Sequence, residues 1–249
     1  MRRFRHLTGQ HRTPSINQLL GGLLAFNAGA INAGGFLVVG MYTSHMTGFA
    51  SMLADNLILG NVGLLLGALG TLLAFVAGAA TTAVQVNWAR QHHLRSEYAL
   101  PLLLEAGLLL VFGLLGATLN RQTPFAVPLT VLVLAYTMGL QNAVVSKISA
   151  SQIRTTHMTG VITDLGIELG KIFYWNRNQT PADFQVRANR IKLRLYSMLL
   201  ATFMAGGLVG AAGFKYLGFI WVLPMATILL LLSLPPLYAD LKRYLRRHH

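Results

Sequence analysis

Apolar residues in this chain come in long runs separated by short polar stretches. A bilayer-spanning helix needs about 20 mostly apolar residues. Six runs reach that length, over residues 16–40, 57–86, 100–119, 125–145, 195–214 and 217–238. The second is long enough to tilt or to be broken. The pattern predicts an all-α, polytopic membrane protein, with one transmembrane domain over residues 1–249 and the bilayer as its main partner. Two stretches depart from it. Residues 161–175 are too polar to span and end in Phe173, Tyr174 and Trp175, which suits a helix lying at the membrane interface. Residues 175–194 hold asparagines, Pro181, Asp183 and a cluster of bases, which predicts a loop beside anionic headgroups.

Composition agrees. Hydrophobic residues make up 54% of the chain and charged ones 11%, against about a quarter charged in ordinary soluble domains. The net charge of +13 invites a nucleic-acid reading, but no basic helix is interleaved with exposed aromatics. Topology accounts for the charge better, because cytoplasmic loops of membrane proteins collect Lys and Arg. With the N-terminus inside and six crossings, only Arg121 and Lys215 of the 20 basic residues fall outside. Both termini are therefore expected in the cytoplasm. The basic stretch Met1 to Ser15 followed by apolar sequence looks like a signal peptide. Apolar sequence runs on to Val39 and more spans follow, so an uncleaved first helix is expected instead. The chain has no cysteine, which excludes disulfides, thiolate metal sites and thiol catalysis.

One string occurs twice. Thr43-Ser44-His45-Met46-Thr47-Gly48 matches Thr155-Thr156-His157-Met158-Thr159-Gly160 at five of six positions, 112 residues apart. The flanks agree with small slips. Ala30-Ile31-Asn32-Ala33 pairs with Leu140-Gln141-Asn142-Ala143, Leu59-Gly60-Asn61 with Leu169-Gly170-Lys171, and Phe75-Val76-Ala77-Gly78 with Phe203-Met204-Ala205-Gly206. The chain thus divides into a repeat over about 16–119 and another over about 125–239, the loop at 175–194 being an insertion in the second. Three spans per repeat is an odd number, so the second repeat would enter the membrane inverted, as in many secondary transporters.

These residues carry a family resemblance. The stretch Asn27 to Gly48, with Asn32, Gly34 and Met46-Thr47-Gly48, is similar to the YoaK-like family of bacterial inner-membrane proteins. So are Met138-Gly139-Leu140-Gln141-Asn142 and Thr155 to Gly160 with Asp164. The resemblance covers nearly the whole chain. It implies a multi-span membrane protein and no substrate, since the family is a domain of unknown function.

The chemistry of the motif suits the start of a broken or re-entrant helix. Backbone that leaves the helix inside hydrocarbon must be satisfied by protein or by a wet cavity. Gly48 and Gly160 permit the break, and the threonine hydroxyls can cap the helix that follows. The helix N-terminus would favour an anion or a carbonyl oxygen, and His45 and His157 are candidates to hydrogen-bond a ligand. Candidate solute-binding residues are therefore Asn32, His45, Thr47, Gly48, Gln141, Asn142, His157, Thr159 and Gly160. Each motif copy holds one histidine and few carboxylates, so neither a metal site nor a cofactor is predicted. A Thr-x-x-Thr-Gly segment can also simply cap, turn and pack.

Carboxylates are scarce. Glu105 lies inside the third span, where an acid is costly and usually faces a cavity or a partner. It is a candidate proton carrier, with Asp55 and Asp164 as further candidates. The competing reading puts Glu105 near enough to the cytoplasmic end to reach headgroup water. Asp164 and Glu168 share a helical face, and Lys171 stands within reach of Glu168. Gly63 with Gly67, and Gly206 with Gly210, are expected to admit close helix neighbours.

These features point to a secondary transporter or exporter of an unidentified small solute, possible proton coupling included. A structural or assembly role is the alternative. A membrane-embedded enzyme has less support, because no nucleophile elbow, H-E-x-x-H or phosphate loop occurs. Without a Walker motif, energy coupling would have to use an ion gradient. A channel would need a filter sequence or charged rings that are missing.

Overall fold

The computed structural model describes residues 14–118, 126–149, 155–176 and 185–247. Arg2, Arg3, Arg5, Arg12, Arg121, Arg154 and residues 177–184 of the polar loop, which bear on the orientation argument, lie outside the described residues. Among the described residues, eight α-helices follow one another: α1 Pro14–Val39, α2 Met46–Leu59, α3 Val62–Gln91, α4 Ala99–Thr118, α5 Ala126–Ile148, α6 Met158–Phe173, α7 Arg190–Leu217 and α8 Val222–Arg247. Five segments are long and apolar enough to cross a bilayer, and the last of them, Arg190–Arg243, contains both α7 and α8. The chain is a multi-pass, all-helical membrane protein.

Two helices are short. α2 and α6 each begin at the methionine of a motif copy, with His45 and His157 as N-caps. The break predicted at the motif is present. The expected mode of capping is not, since no side chain caps either helix. The threonines that precede each histidine are buried instead, with their hydroxyls turned into the protein. α2 stops at Gly60, whose left-handed backbone (φ 71°) lets its N–H reach back to Asn56. The apolar residues 57–59, expected in the second span, therefore belong to α2. The matching flank at Leu169-Gly170 does not stop α6, which runs on to Phe173.

α1 packs most extensively on α7, α3 on α5, and α4 on α8, while α1 and α5 also meet each other. The first two pairings rest on glycines placed where no side chain fits. A Cβ added at Gly206 would lie 1.9 Å from the carbonyl oxygen of Phe26, and one at Gly29 would lie 2.1 Å from that of Phe203. Across α3 and α5, a Cβ at Gly78 would lie 2.0 Å from the oxygen of Tyr136, and one at Gly139 2.0 Å from that of Phe75. Small residues at such points let helix backbones touch, which in lipid is a main source of association. Thr82 Oγ1 adds a bond to the Leu140 carbonyl at 2.9 Å, and Tyr136 donates to Thr81 at 2.7 Å. Gly210 also faces α1, as expected, but Gly63 and Gly67 have nothing within 4 Å and serve no close packing here.

The core is built from Leu20, Leu24, Leu102, Leu109, Phe112, Leu134, Met138, Leu199 and Leu229, contributed by α1, α4, α5, α7 and α8. α3 lies at the perimeter and exposes Leu64, Leu66, Leu73, Val76 and Val84. In lipid such a surface is the expected outer face.

Candidate functional site

The two motif copies, 112 residues apart in sequence, line one cavity of about 1270 Å³. From the first copy come Ser44, His45, Met46 and Thr47, and from the second Thr156, His157, Met158 and Thr159. α1 adds Gly29, Asn32 and Phe36, α5 adds Gly139, Asn142 and Ser146, and Phe75 of α3 faces in along with Phe203 of α7. The helix-packing glycines thus sit at the cavity edge, and the tight crossings of α1 on α7 and α3 on α5 form its frame.

Each motif segment is held in the same way. Ser44 Oγ donates to Asn32 Oδ1 at 3.0 Å. Asn142 Nδ2 donates to Thr156 Oγ1 at 2.5 Å, and the Thr156 backbone N–H lies 3.4 Å from Asn142 Oδ1. The asparagine of the long helix staples the returning chain through the one position where the two strings differ, Ser44 or Thr156, and both residues bring a hydroxyl. Thr43 and Thr155 are fully buried beside these staples. The residues that follow repeat one sequence of exposure: buried threonine, half-buried hydroxyl residue, exposed histidine, half-buried methionine, exposed threonine, half-buried glycine.

Gly48 and Gly160 do not line the cavity themselves. Their role is local. Each histidine ring folds back over the first turn of its own helix, so that a Cβ at Gly48 would lie 2.6 Å from His45 Nδ1 and one at Gly160 2.3 Å from His157 Nδ1. The glycine makes room for the ring, and the ring faces the cavity.

Among the described residues, no Asp, Glu, Lys or Arg lines the cavity. Asp55 and Asp164 are exposed on α2 and α6, away from it. Glu105 and Gln141 are not in its lining either. They form a second polar locus, in which Gln141 Nε2 donates to Glu105 Oε1 at 2.7 Å with Asn27 of α1 alongside. All three side chains are fully buried. Glu105 Oε2 and Gln141 Oε1 have no hydrogen-bond partner among the described residues. The expectation that Glu105 reaches headgroup water is overturned by its complete burial between helices. Three other described acids are buried, and each pairs with a base: Glu97 with Arg90 at 2.8 Å, Glu168 with Lys171 at 2.9 Å and Asp240 with Arg243 at 3.0 Å. Glu105 has no such counter-ion among the described residues.

A family model described as "Protein of unknown function (DUF1275)" matches residues 20–234. The chain belongs to this family. The match runs from α1 into α8, so both motif copies, the staples and Glu105 lie within the DUF1275 region. The YoaK-like resemblance of the motifs is a resemblance to the same family. No curated protein matches the chain, and no solved structure does.

Sequence reasoning missed the stapling hydroxyls Ser44 and Thr156 and the aromatic walls Phe36, Phe75 and Phe203. A signal for the staples was present: the single mismatch in the repeat exchanges one hydroxyl residue for another. The aromatics carried a partial one: Phe75 and Phe203 head the matched flanks of the repeat, whereas Phe36 in an apolar run reads as lipid-facing or core.

Proposed function

We propose that this DUF1275 protein is a secondary transporter or exporter of a small solute, with its binding site in the cavity between the two motif segments. The observation that carries the reading is that both copies of the repeated string line one cavity. A purely local capping role would need no such meeting. The lining combines hydroxyls, amides and two imidazoles with phenylalanine walls, so recognition would rest on hydrogen bonds and apolar contact, without ion pairs. That fits a solute with an apolar body and a few polar groups.

The fold reads as two inverted repeats, α1–α4 and α5–α8, each a long helix, a short helix begun by the motif, and two more long helices. In support, exchanging the halves turns the α1–α7 pairing into α5–α3 and leaves α4–α8 unchanged. The same exchange turns the Gly29–Phe203 and Gly206–Phe26 contacts into Gly139–Phe75 and Gly78–Tyr136. With six crossings, Arg90, Lys147 and Lys242 fall on one face, which the charge rule makes cytoplasmic, together with both termini. α2 and α6 would then start near the middle of the bilayer and run to opposite faces, and rocking of one half against the other would give alternating access.

Glu105 is the proposed proton carrier. A buried polar atom without a partner costs about 1–3 kcal/mol, and Glu105 Oε2 and Gln141 Oε1 are two such atoms. Among the described residues, no base competes with a proton for this carboxyl. Gln141 is next in sequence to the stapling Asn142, so a change of hydrogen bonding at Glu105 has a short covalent route to motif two.

The test is transport by the purified protein in proteoliposomes. Currents on a solid-supported membrane would be recorded against panels of amino acids, carboxylic acids, sugars and nucleobases, with and without a proton gradient. The expected result is a solute-dependent, proton-coupled current that is abolished in the His45→Ala, His157→Ala double variant at equal protein amount. Unchanged current in that variant contradicts the site assignment. Absence of current with every panel favours the structural or assembly role.

A further inference from the structure

A second cleft, of about 690 Å³, lies where the end of α6 meets the start of α7. Its walls carry Lys171, Arg187, Arg190 and Arg194 with Tyr174 and Asn176, and among the described residues no acid lines it. The described ends of the polar loop are tied to each other. Asn176 Nδ2 donates to the Val186 carbonyl at 2.9 Å, and the Val186 N–H returns a bond to Asn176 Oδ1 at 2.9 Å. Glu168 accepts the Asn189 N–H at 2.7 Å and Lys171 Nζ at 2.9 Å, which ties the two helices together beside the cleft. Lys171 is thereby partly neutralised. Arg190 and Arg194 form no ion pair among the described residues, and Arg187 bonds to the neutral amide of Gln185 at 2.7 Å.

The surroundings are apolar and face outward. Phe173 and Trp175 are 84% and 87% exposed. Ile162, Ile167 and Ile172 of α6 are exposed as well. Aromatics of this kind settle at headgroup level, and aliphatic side chains next to them face acyl chains. The cleft therefore presents three arginines lacking an acidic partner among the described residues, at the depth where lipid phosphates lie. The α7 N-terminus is already capped, since the Asn189 side chain accepts the N–H groups of Ile191 and Lys192. Anion recognition here falls on the guanidinium groups, which match phosphate oxygens in pairs.

We infer that this cleft is a binding site for the phosphate of an anionic phospholipid headgroup, held by Arg187, Arg190 and Arg194 with the acyl chains against α6. Because α6 carries motif two at its other end, an occupied cleft fixes the helix whose first turn lines the cavity. The inference is independent of the transport reading, since it needs only a bilayer.

The test uses the full-length protein in detergent micelles with defined lipid added. Native mass spectrometry counts bound phosphatidylglycerol against bound phosphatidylcholine. Each basic residue near a headgroup contributes about 1 kcal/mol, or roughly fivefold in affinity. The Arg190→Gln, Arg194→Gln pair is expected to weaken phosphatidylglycerol binding by about 25-fold on that basis. The Arg190→Lys, Arg194→Lys pair should retain most of it. A Lys242→Gln, Arg246→Gln pair removes the same charge from exposed positions on α8 and should change binding less than about twofold. Equal losses in the α7 and α8 glutamine pairs, or no loss in the α7 pair, overturn the site. Saturable binding of inorganic phosphate to the cleft without selective lipid retention overturns the lipid assignment in favour of a soluble phosphate.

Discussion

Residues 43–48 and 155–160 follow the same course into the cavity, but the helices they begin end differently. α2 breaks at the left-handed Gly60 and turns directly into α3, with Asp55 exposed on its surface. α6 continues to Phe173 and is fastened by Glu168 to Asn189 and Lys171 before the polar loop. What the copies share is confined to the cavity side: asparagine staple, buried threonine, folded-back histidine over glycine. What differs lies at the far ends. A common geometry kept only where the segments meet suggests that the meeting place is what the repeat serves, while the distal ends are fitted to their own surroundings.

The comparison breaks most severely at the helix crossings. Gly206→Leu and Gly78→Leu each drive a side chain into a facing carbonyl oxygen in the equivalent crossing. Overpacking of this kind costs about 1–3 kcal/mol or more. Both variants should lose a similar large amount of thermal stability in detergent, whereas Gly67→Leu, with open space around it, should lose little. A large loss at one crossing alone would mean that the two halves are not equivalent.

A sharper probe is the pair of staples. Asn142→Ala removes a side-chain bond to Thr156 and an acceptor for its N–H, while Asn32→Ala removes one bond to Ser44. At about 1 kcal/mol net per hydrogen bond, Asn142→Ala should cost about 2 kcal/mol and Asn32→Ala about 1, read from chemical unfolding. Both should impair transport together. Glu105→Gln is expected to behave otherwise. It keeps the shape and can still accept from Gln141, so stability should hold while proton coupling is lost. Coupled transport by Glu105→Gln would remove the carboxyl from the mechanism.

The smallest expected effect separates the far ends. The Asn189 N–H, and then the Lys171 ammonium, hold the Glu168 carboxyl below its ordinary range. A carboxyl lowered in the folded state contributes stability above its unfolded pKa, about 4.3, and that contribution fades as pH falls below it toward the folded value. Hydrogen exchange in residues 158–173 should therefore quicken from about pH 5 to pH 3 relative to residues 46–59, after correction for intrinsic rates. Glu168→Gln should remove the difference.

Much of this arrangement was legible before any coordinates. The spans, the break at each motif and the Glu168–Lys171 pair follow from local pattern. The errors have physical causes. Residues 57–59 were assigned to the second span because hydropathy does not register the turn that Gly60 and Asn61 impose. The fifth span, α7, starts at Arg190 and not near residue 195, since the capped, basic first turn carries no apolar signal. Gly63 and Gly67 have helical spacing for packing but face open space, a matter of which side of α3 meets α5. Asp55 and Asp164 looked like partners of the motifs by proximity in sequence, yet helical rotation and rise take them away from the cavity. The isolation of Glu105 from any base is a tertiary fact, resting on which residues of α1 and α5 stand opposite α4.

The central claim is that both motif copies open onto one water-filled solute cavity. The absence of cysteine makes the protein its own background for thiol labelling. Thr47→Cys and Thr159→Cys, placed separately and together in right-side-out and inside-out vesicles, would be treated with a charged, membrane-impermeant thiosulfonate. The account expects each position to react from an aqueous face, and a bulky label at one to slow reaction at the other. Two positions that react independently, each from its own face only, or that never react at all, would contradict a shared cavity.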